Sequence, residues 1–197
     1  MTSEPRDLFR TEQPALLIID VQLAIDEFSF EERSNPSAEA VIAALLELWR
    51  ERRLPVFHIR HASRFPDSPY HEGSEYFEFK AEVMPIEGET IVTKRENCAF
   101  IGTELEAHLR DKWVSELVVC GVLINHSVDA TVRVAAALGF DVILPSDATA
   151  AFALKGLDGK DYEAEDVHGL FLSNLHGEYA KVVNSPLIKV ELGNSGS

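Results

Sequence analysis

Short apolar runs alternate along this chain with longer stretches in which apolar residues recur every three or four positions. The run ALLIID (15–20) holds five consecutive apolar residues, the pattern of a strand covered on both faces. SAEAVIAALLELWRERR (37–53) follows with helical spacing, and LPVFHIR (54–60) returns to a strand. ETIVTK (89–94) predicts a third strand, GTELEAHLRDK (102–112) a helix, and SELVVCGV (115–122) a fourth strand. A helix then runs to Gly139, a residue suited to closing it. FDVILPSDA (140–148) predicts a fifth strand, AEDVHGLFLSNLHGEY (164–179) a helix, and AKVVNS a last short strand. Strand and helix alternate throughout. The pattern predicts an α/β fold in three layers, Rossmann-like, with a mostly parallel six-stranded sheet and helices on both faces.

The 197 residues suit one domain spanning 1–197, with frayed ends expected at 1–13 and 192–197. There are 18 Lys and Arg against 33 Asp and Glu, a formal charge of −15. That balance argues against nucleic acid and against anionic membrane surfaces, since both require a basic face. The opening MTSEPRDLFRTEQP has no apolar leader core, and no apolar run approaches the ~18 residues needed to span a bilayer. The two cysteines, Cys98 and Cys120, sit in or beside apolar runs and do not make a disulfide framework. A cytoplasmic location is the default expectation.

In open parallel sheets, ligands bind beyond the carboxyl ends of the strands. That rule selects Asp20 after the first strand, Arg60 and His61 after the second, and Lys94 after the third. Leu123 to Ser127 follow the fourth strand and Asp147 the fifth. Asp20 could cap the next turn, or serve as a partly buried acid or base. Lys94 would be a solvated strand end unless it faces Asp20, where it would hold the carboxylate ionised. Ser127 could be a helix N-cap, a job for which Asn125 competes. Free N–H groups at a helix start can also build an oxyanion hole. The residues around Ser127 do not form a G-x-S-x-G elbow.

The histidines suggest no metal. His58 and His61 are three apart on a strand and point in opposite directions, and no carboxylate-rich ligand motif adjoins them. His71 is a loop residue, while His168 and His176 fall on the late helix as surface or packing residues. Buried cysteines without an adjacent base are inert. No cofactor is expected.

Several segments, taken in order, resemble the isochorismatase-like hydrolases, also called the cysteine hydrolase superfamily. They are LLIIDVQ, VFHIRHAS, IVTKRENCAFIGTEL, VVCGVLINHSVDATVRVAAALGFDV, PSDATAAF and AEDVHGLFLSNLHGEYAKVV. The resemblance covers nearly the whole chain. It implies that Asp20 is the catalytic acid/base, Lys94 the catalytic lysine, and Leu123 and Ser127 the backbone donors of an oxyanion hole. It further implies a cis peptide bond between Val122 and Leu123, a small-molecule substrate, and assembly into homodimers or homotetramers. The family's nucleophilic cysteine falls on Ser127. The nicotinamidase metal motif, Asp-x-His after the second strand, is absent, because FHIRHAS stands there.

The serine leaves three readings open. An alcohol is a far weaker acid than a thiol, so a native serine enzyme would need Asp20 as base with Lys94 tuning it. The isochorismatase branch instead uses its Asp as a general acid on a vinyl ether and needs no nucleophile. The serine could also be a replacement that traps a complex. Beside these stands a non-catalytic binder that kept the pocket. The resemblance favours hydrolysis of a small amide, ureide or related C–N compound. Substrate contacts are expected from residues 60–80, namely Arg60, His61, Ser63, Tyr70, Tyr76 and Phe77, with Gln22 and Asn125 beside the acid and the serine.

Overall fold

The structure, a computed structural model, describes residues 8–28 and 32–194. Six parallel strands form the sheet: β1 (Ala15–Ile19), β2 (Val56–His61), β3 (Thr90–Lys94), β4 (Glu116–Val122), β5 (Asp141–Pro145) and, near the carboxyl terminus, β9 (Lys181–Val183). They lie in the order β3-β2-β1-β4-β5-β9. The predicted six-stranded sheet gains a seventh member. After β5 the chain turns through 146–148, and β6 (Thr149–Ala150) pairs with β4 at Gly121 and Val122. A small separate hairpin, β7 (Leu154–Lys155) with β8 (Asp161–Tyr162), is antiparallel.

Alternate residues of each strand feed two cores, the consequence of a two-residue side-chain period. Leu17, Ile19, Leu117, Val119 and Leu144 face α2 (Leu105–Asp111), α3 (Asp129–Ala137) and α4 (Ala164–Leu175). Leu16, Ile18, Val118, Cys120 and Ile143 face α1 (Ala38–Glu51) and α5 (Ser185–Asn194). Gly139 follows α3 with φ of 86°, the left-handed close expected of a C-terminal glycine.

Of the segments expected to fray, 1–7 and 195–197 lie outside the described residues, while 8–13 and 192–194 are described and make contacts. Leu8 is buried, and the N–H groups of Arg10 and Thr11 donate to Glu116 Oε2. The Arg10 guanidinium also pairs with Asp141. At the other end α5, a helix not expected from the pattern, buries Ile188 and Leu192 against α1. Asp147, a strand-end candidate for the site, accepts hydrogen bonds from the N–H and Oγ of Ser185 and thereby caps α5. α4 ends at Leu175, four residues before the predicted boundary. Among the described residues no helix is long and apolar enough to cross a membrane.

Candidate active site

The strand order reverses direction between β1 and β4, and crevices form at such a switch point. Gly121 brings the two strands unusually close there. A Cβ at that position would lie 2.1 Å from the Ile19 carbonyl oxygen, and the φ of 131° is one that side chains rarely adopt. One residue past β1, Asp20 takes a left-handed φ of 56°. For a non-glycine residue this costs of order 1–3 kcal/mol and marks sites where the surroundings dictate the backbone.

Lys94 ends β3 and reaches across the strand ends. Its Nζ donates to Asp20 Oδ2 at 2.7 Å and to Ser127 Oγ at 3.0 Å, and it lies 3.4 Å from His61 Nδ1. Lys94 is 1% exposed, Asp20 4% and Ser127 6%, so water screens this pair little. Asp20 Oδ1 is buried with no hydrogen-bond partner. An unsatisfied carboxylate oxygen is costly, and a native structure retains one where it has a use.

Ser127 is not a helix cap. It sits inside a π-helical turn, Ile124–Val128, in which no side-chain cap bond forms and the Val128 N–H reaches five residues back to the Leu123 carbonyl. Turns of this kind recur at functional sites. The turn re-aims Ser127 so that its oxygen meets Lys94. The Val122–Leu123 bond before it is cis, as the resemblance implied.

His61 stands beside this cluster. Desolvation, and then the charge of Lys94, hold its pKa below the ordinary histidine value, while Asp20 pulls weakly the other way. The imidazole is therefore neutral at pH 7. Tyr70 packs edge-on against His61 with ring centroids 5.8 Å apart. Burial first, then the charge of Asp20, pushes its phenol far above the usual range.

Other expected contacts are placed differently. Gln22 is fully buried and holds the backbone: its Nε2 donates to the carbonyls of His61 and Phe77, and its Oε1 accepts from the His61 N–H. It positions the strand end. Arg60 alternates to the side of β2 opposite His61, donates to Thr93 Oγ1 and lies over the Phe77 ring at 4.8 Å. Ser63 is buried and accepts from the Phe65 N–H. Tyr76 lines an outer, solvent-open depression with Glu27 and Phe28. His71 accepts from the Gly73 N–H, whereas His58 is buried on the far side and bonded to Glu89. His168 is a packing residue bonded to Thr149 Oγ1. Cys98 and Cys120 are both buried, and burial pushes the Cys120 thiol up, leaving it inert.

Beside the cluster lies a cavity of about 360 Å³, walled by Ile25, Phe28, Tyr70, Leu123, Asn125 and Phe152 among others. Tyr70 links it to His61, and Leu123 and Asn125 link it to the turn that carries Ser127. Ile25, Phe28 and Phe152 escape sequence reasoning. They are ordinary apolar residues in distant segments, and only the tertiary fold brings them together.

A family profile for the isochorismatase domain matches residues 14–171. An isochorismatase family protein of Bacillus subtilis, YrdC, is 41% identical over 174 residues, covering 88% of this chain and 93% of that protein. A streptothricin hydrolase of Streptomyces noursei is 34% identical over 150 residues, covering 74% of this chain and 57% of its own length. A solved isochorismatase-family structure from Chromobacterium violaceum superposes with a TM-score of 0.93 at 46% identity, covering 97% of this chain and all of that one.

Proposed function

The chain belongs to the isochorismatase family of hydrolases, and from that premise we propose that it cleaves the C–N bond of a small amide, ureide or related compound, with Asp20, Lys94 and Ser127 carrying the reaction. The observation behind this reading is the position of Lys94 Nζ, bonded at once to the carboxylate of Asp20 and to the oxygen of Ser127. A relative named streptothricin hydrolase supports hydrolysis as the reaction type.

In this reading Ser127 Oγ attacks the substrate carbonyl carbon. Its proton passes to Asp20 Oδ1, the carboxylate oxygen that no other group occupies, directly or through one water. The Lys94 ammonium already donates to Oγ and lowers the cost of developing negative charge there. The backbone N–H groups of Leu123 and Ser127 receive the carbonyl oxygen as it becomes an oxyanion. Collapse breaks the C–N bond, Asp20 returns its proton to the leaving nitrogen, and an ester on Ser127 remains. Water then attacks the ester with Asp20 again as base, releasing the acid and restoring the serine. His61, neutral at pH 7, leaves Lys94 as the cation facing the nucleophile.

Ammonia release across a panel of small amides and ureides tests this, with Ser127→Cys and Asp20→Asn proteins run alongside. The serine protein should turn over at least one compound, and Asp20→Asn should lower its kcat by roughly 10²–10⁴-fold. Turnover confined to Ser127→Cys would show that the serine silences an amidase scaffold. Silence from both forms, with cleavage of a vinyl ether that Asp20→Asn abolishes, would replace the nucleophilic mechanism with general acid catalysis.

A further inference from the structure

The register of the sheet makes His61 and Lys94 direct neighbours. They are paired positions at the carboxyl ends of β2 and β3, so their side chains stand on the same face. The Ala62 N–H donates to the Lys94 carbonyl at 2.8 Å and fixes that pairing. Gln22 holds the same strand end from the β1 side. Its Oε1 accepts from the His61 N–H at 2.8 Å, and its Nε2 donates to the His61 carbonyl at 3.2 Å. Tyr70 closes on the imidazole edge-on, with an interplanar angle of 74°. Backbone and ring of His61 are thus both held, whereas Arg60, one residue earlier, turns to the opposite face and bonds Thr93.

A lysine ammonium carries three N–H donors and no acceptor, on a flexible stem. Two of the three from Lys94 Nζ go to Asp20 Oδ2 and Ser127 Oγ. Among the described residues the remaining acceptor in reach is His61 Nδ1, at 3.4 Å. Lys94 is 1% exposed, so a donor left unmade there is costly. The ammonium can only donate, so Nδ1 can only accept. That assigns the tautomer: a bare Nδ1, with the ring proton on Nε2. Desolvation, then the Lys94 charge, disfavours a second proton on the ring, against the weaker pull of Asp20 and Glu96.

We propose that His61 is a positioning residue of this site: its Nδ1 accepts the third Lys94 N–H and so keeps the other two aimed at Asp20 Oδ2 and Ser127 Oγ. Without that acceptor the ammonium can rotate its donors and the stem can move. The nucleophile then loses part of the charge that stabilises its anion. Gln22 acts one step further back, by fixing the backbone that carries the imidazole. The inference rests on the proposed reading for the site, Asp20, Lys94 and Ser127, and not on the C–N bond. Its test uses no substrate, so a failure of amide turnover would strike the C–N reading alone.

Two measurements test it. In the unaltered protein, long-range nitrogen–proton NMR at neutral pH should show His61, assigned through its backbone, with a bare Nδ1 and a protonated Nε2. A proton on Nδ1 would overturn the proposal, and no substitution is needed to see it. The second measurement places a thiol at the nucleophile position. In Ser127→Cys, the pH midpoint of alkylation by iodoacetamide reports how well the ammonium supports the thiolate. Cys98 and Cys120 are buried, and peptide mass mapping separates any label on them. Adding His61→Leu should raise that midpoint by about one pH unit, roughly a tenfold loss in the thiolate equilibrium and the scale of one hydrogen bond to a charged group. Adding His61→Asn, whose Oδ1 stands where Nδ1 stood, should hold the midpoint within about 0.3 pH unit. His61→Gln, whose oxygen lies one bond further out, should recover less. A midpoint unmoved by His61→Leu, or recovered no better by Asn than by Gln, would overturn the proposal and leave the imidazole as packing for Tyr70.

Discussion

At Lys94 a single ammonium sits where water cannot compensate it, and its partner Asp20 is equally buried. Such a pair contributes modestly to stability while intact, because desolvation offsets most of the attraction. Breaking it is another matter. Lys94→Met would leave a buried carboxylate unpaired and should destabilise the fold by about 3–5 kcal/mol. Asp20→Asn would leave the ammonium with Ser127 Oγ and His61 Nδ1 alone. The double variant removes both charges and should cost clearly less than the two single changes added, by at least about 1 kcal/mol. Urea unfolding of the four proteins measures this coupling. Additive losses would mean that the two side chains are not energetically paired. The same residues show how local chemistry overrides propensity. A serine after a strand reads as a helix cap, but here the π-turn turns its oxygen inward to Lys94.

The strands matter to the site chiefly through where they stop. β1 and β4 end side by side and Lys94 reaches from β3 across the end of β2, so Asp20, Lys94 and Ser127 converge although 74 residues separate the first two in sequence. This convergence is legible in the chain, because continuous apolar runs mark parallel strands and the residue after each run is then a site candidate. What surrounds the three residues is not legible in the same way. Gln22 reads as a substrate contact from its place beside Asp20, yet its amide is consumed by the backbone of His61 and Phe77. Arg60 and His61 look equivalent in sequence, and the strand's alternation sends them to opposite faces. α5 lacks a clean apolar stripe, so PLIKVELG gives no helix signal until Ile188 and Leu192 are seen against α1. Gly121 is the element-scale requirement most open to test. In Gly121→Ala the new methyl would meet the Ile19 carbonyl, with backbone atoms on both sides unable to yield. A loss of at least about 3 kcal/mol in urea unfolding is expected, with activity reduced in whatever protein still folds. Gly139→Ala supplies the control. Its φ of 86° is also left-handed, but nothing lies within 4 Å, so the cost should stay near 1–2 kcal/mol. Equal losses at the two positions would mean that the close approach of β1 and β4 is not what demands the glycine.

Over the whole molecule, burial has drawn several histidines away from their ordinary titration. His58 and His168 are both buried, and desolvation is the largest influence on each, lowering the pKa below 6.5. Glu89 partly counteracts this at His58. A histidine whose folded pKa is depressed leaves stability intact above the unfolded value and withdraws it as pH falls through the folded one. Protons then bind preferentially to the unfolded chain, and each such group adds a slope of at most ~1.4 kcal/mol per pH unit. The acids act in other windows. Glu89, held at about 2 by Arg50, the Ile86 N–H and His58 against its own desolvation, loses its contribution only in strong acid. Glu116, raised by burial above 4.5, contributes most below that value and less as pH rises through its folded pKa. The net charge of −15 also favours mild acid, since protonation relieves self-repulsion. Between pH 6.5 and 5 the histidines and the net charge therefore oppose each other, and the profile of the unaltered protein cannot separate them. Replacing His58 and His168 by Gln removes the titration while keeping a neutral group able to bond Glu89 and Thr149. Unfolding free energies measured from pH 8 to pH 5 should then show the double variant falling less, or rising more, than the parent between pH 6.5 and 5. Parallel profiles would mean that neither imidazole resists protonation in the fold and that acid sensitivity originates elsewhere.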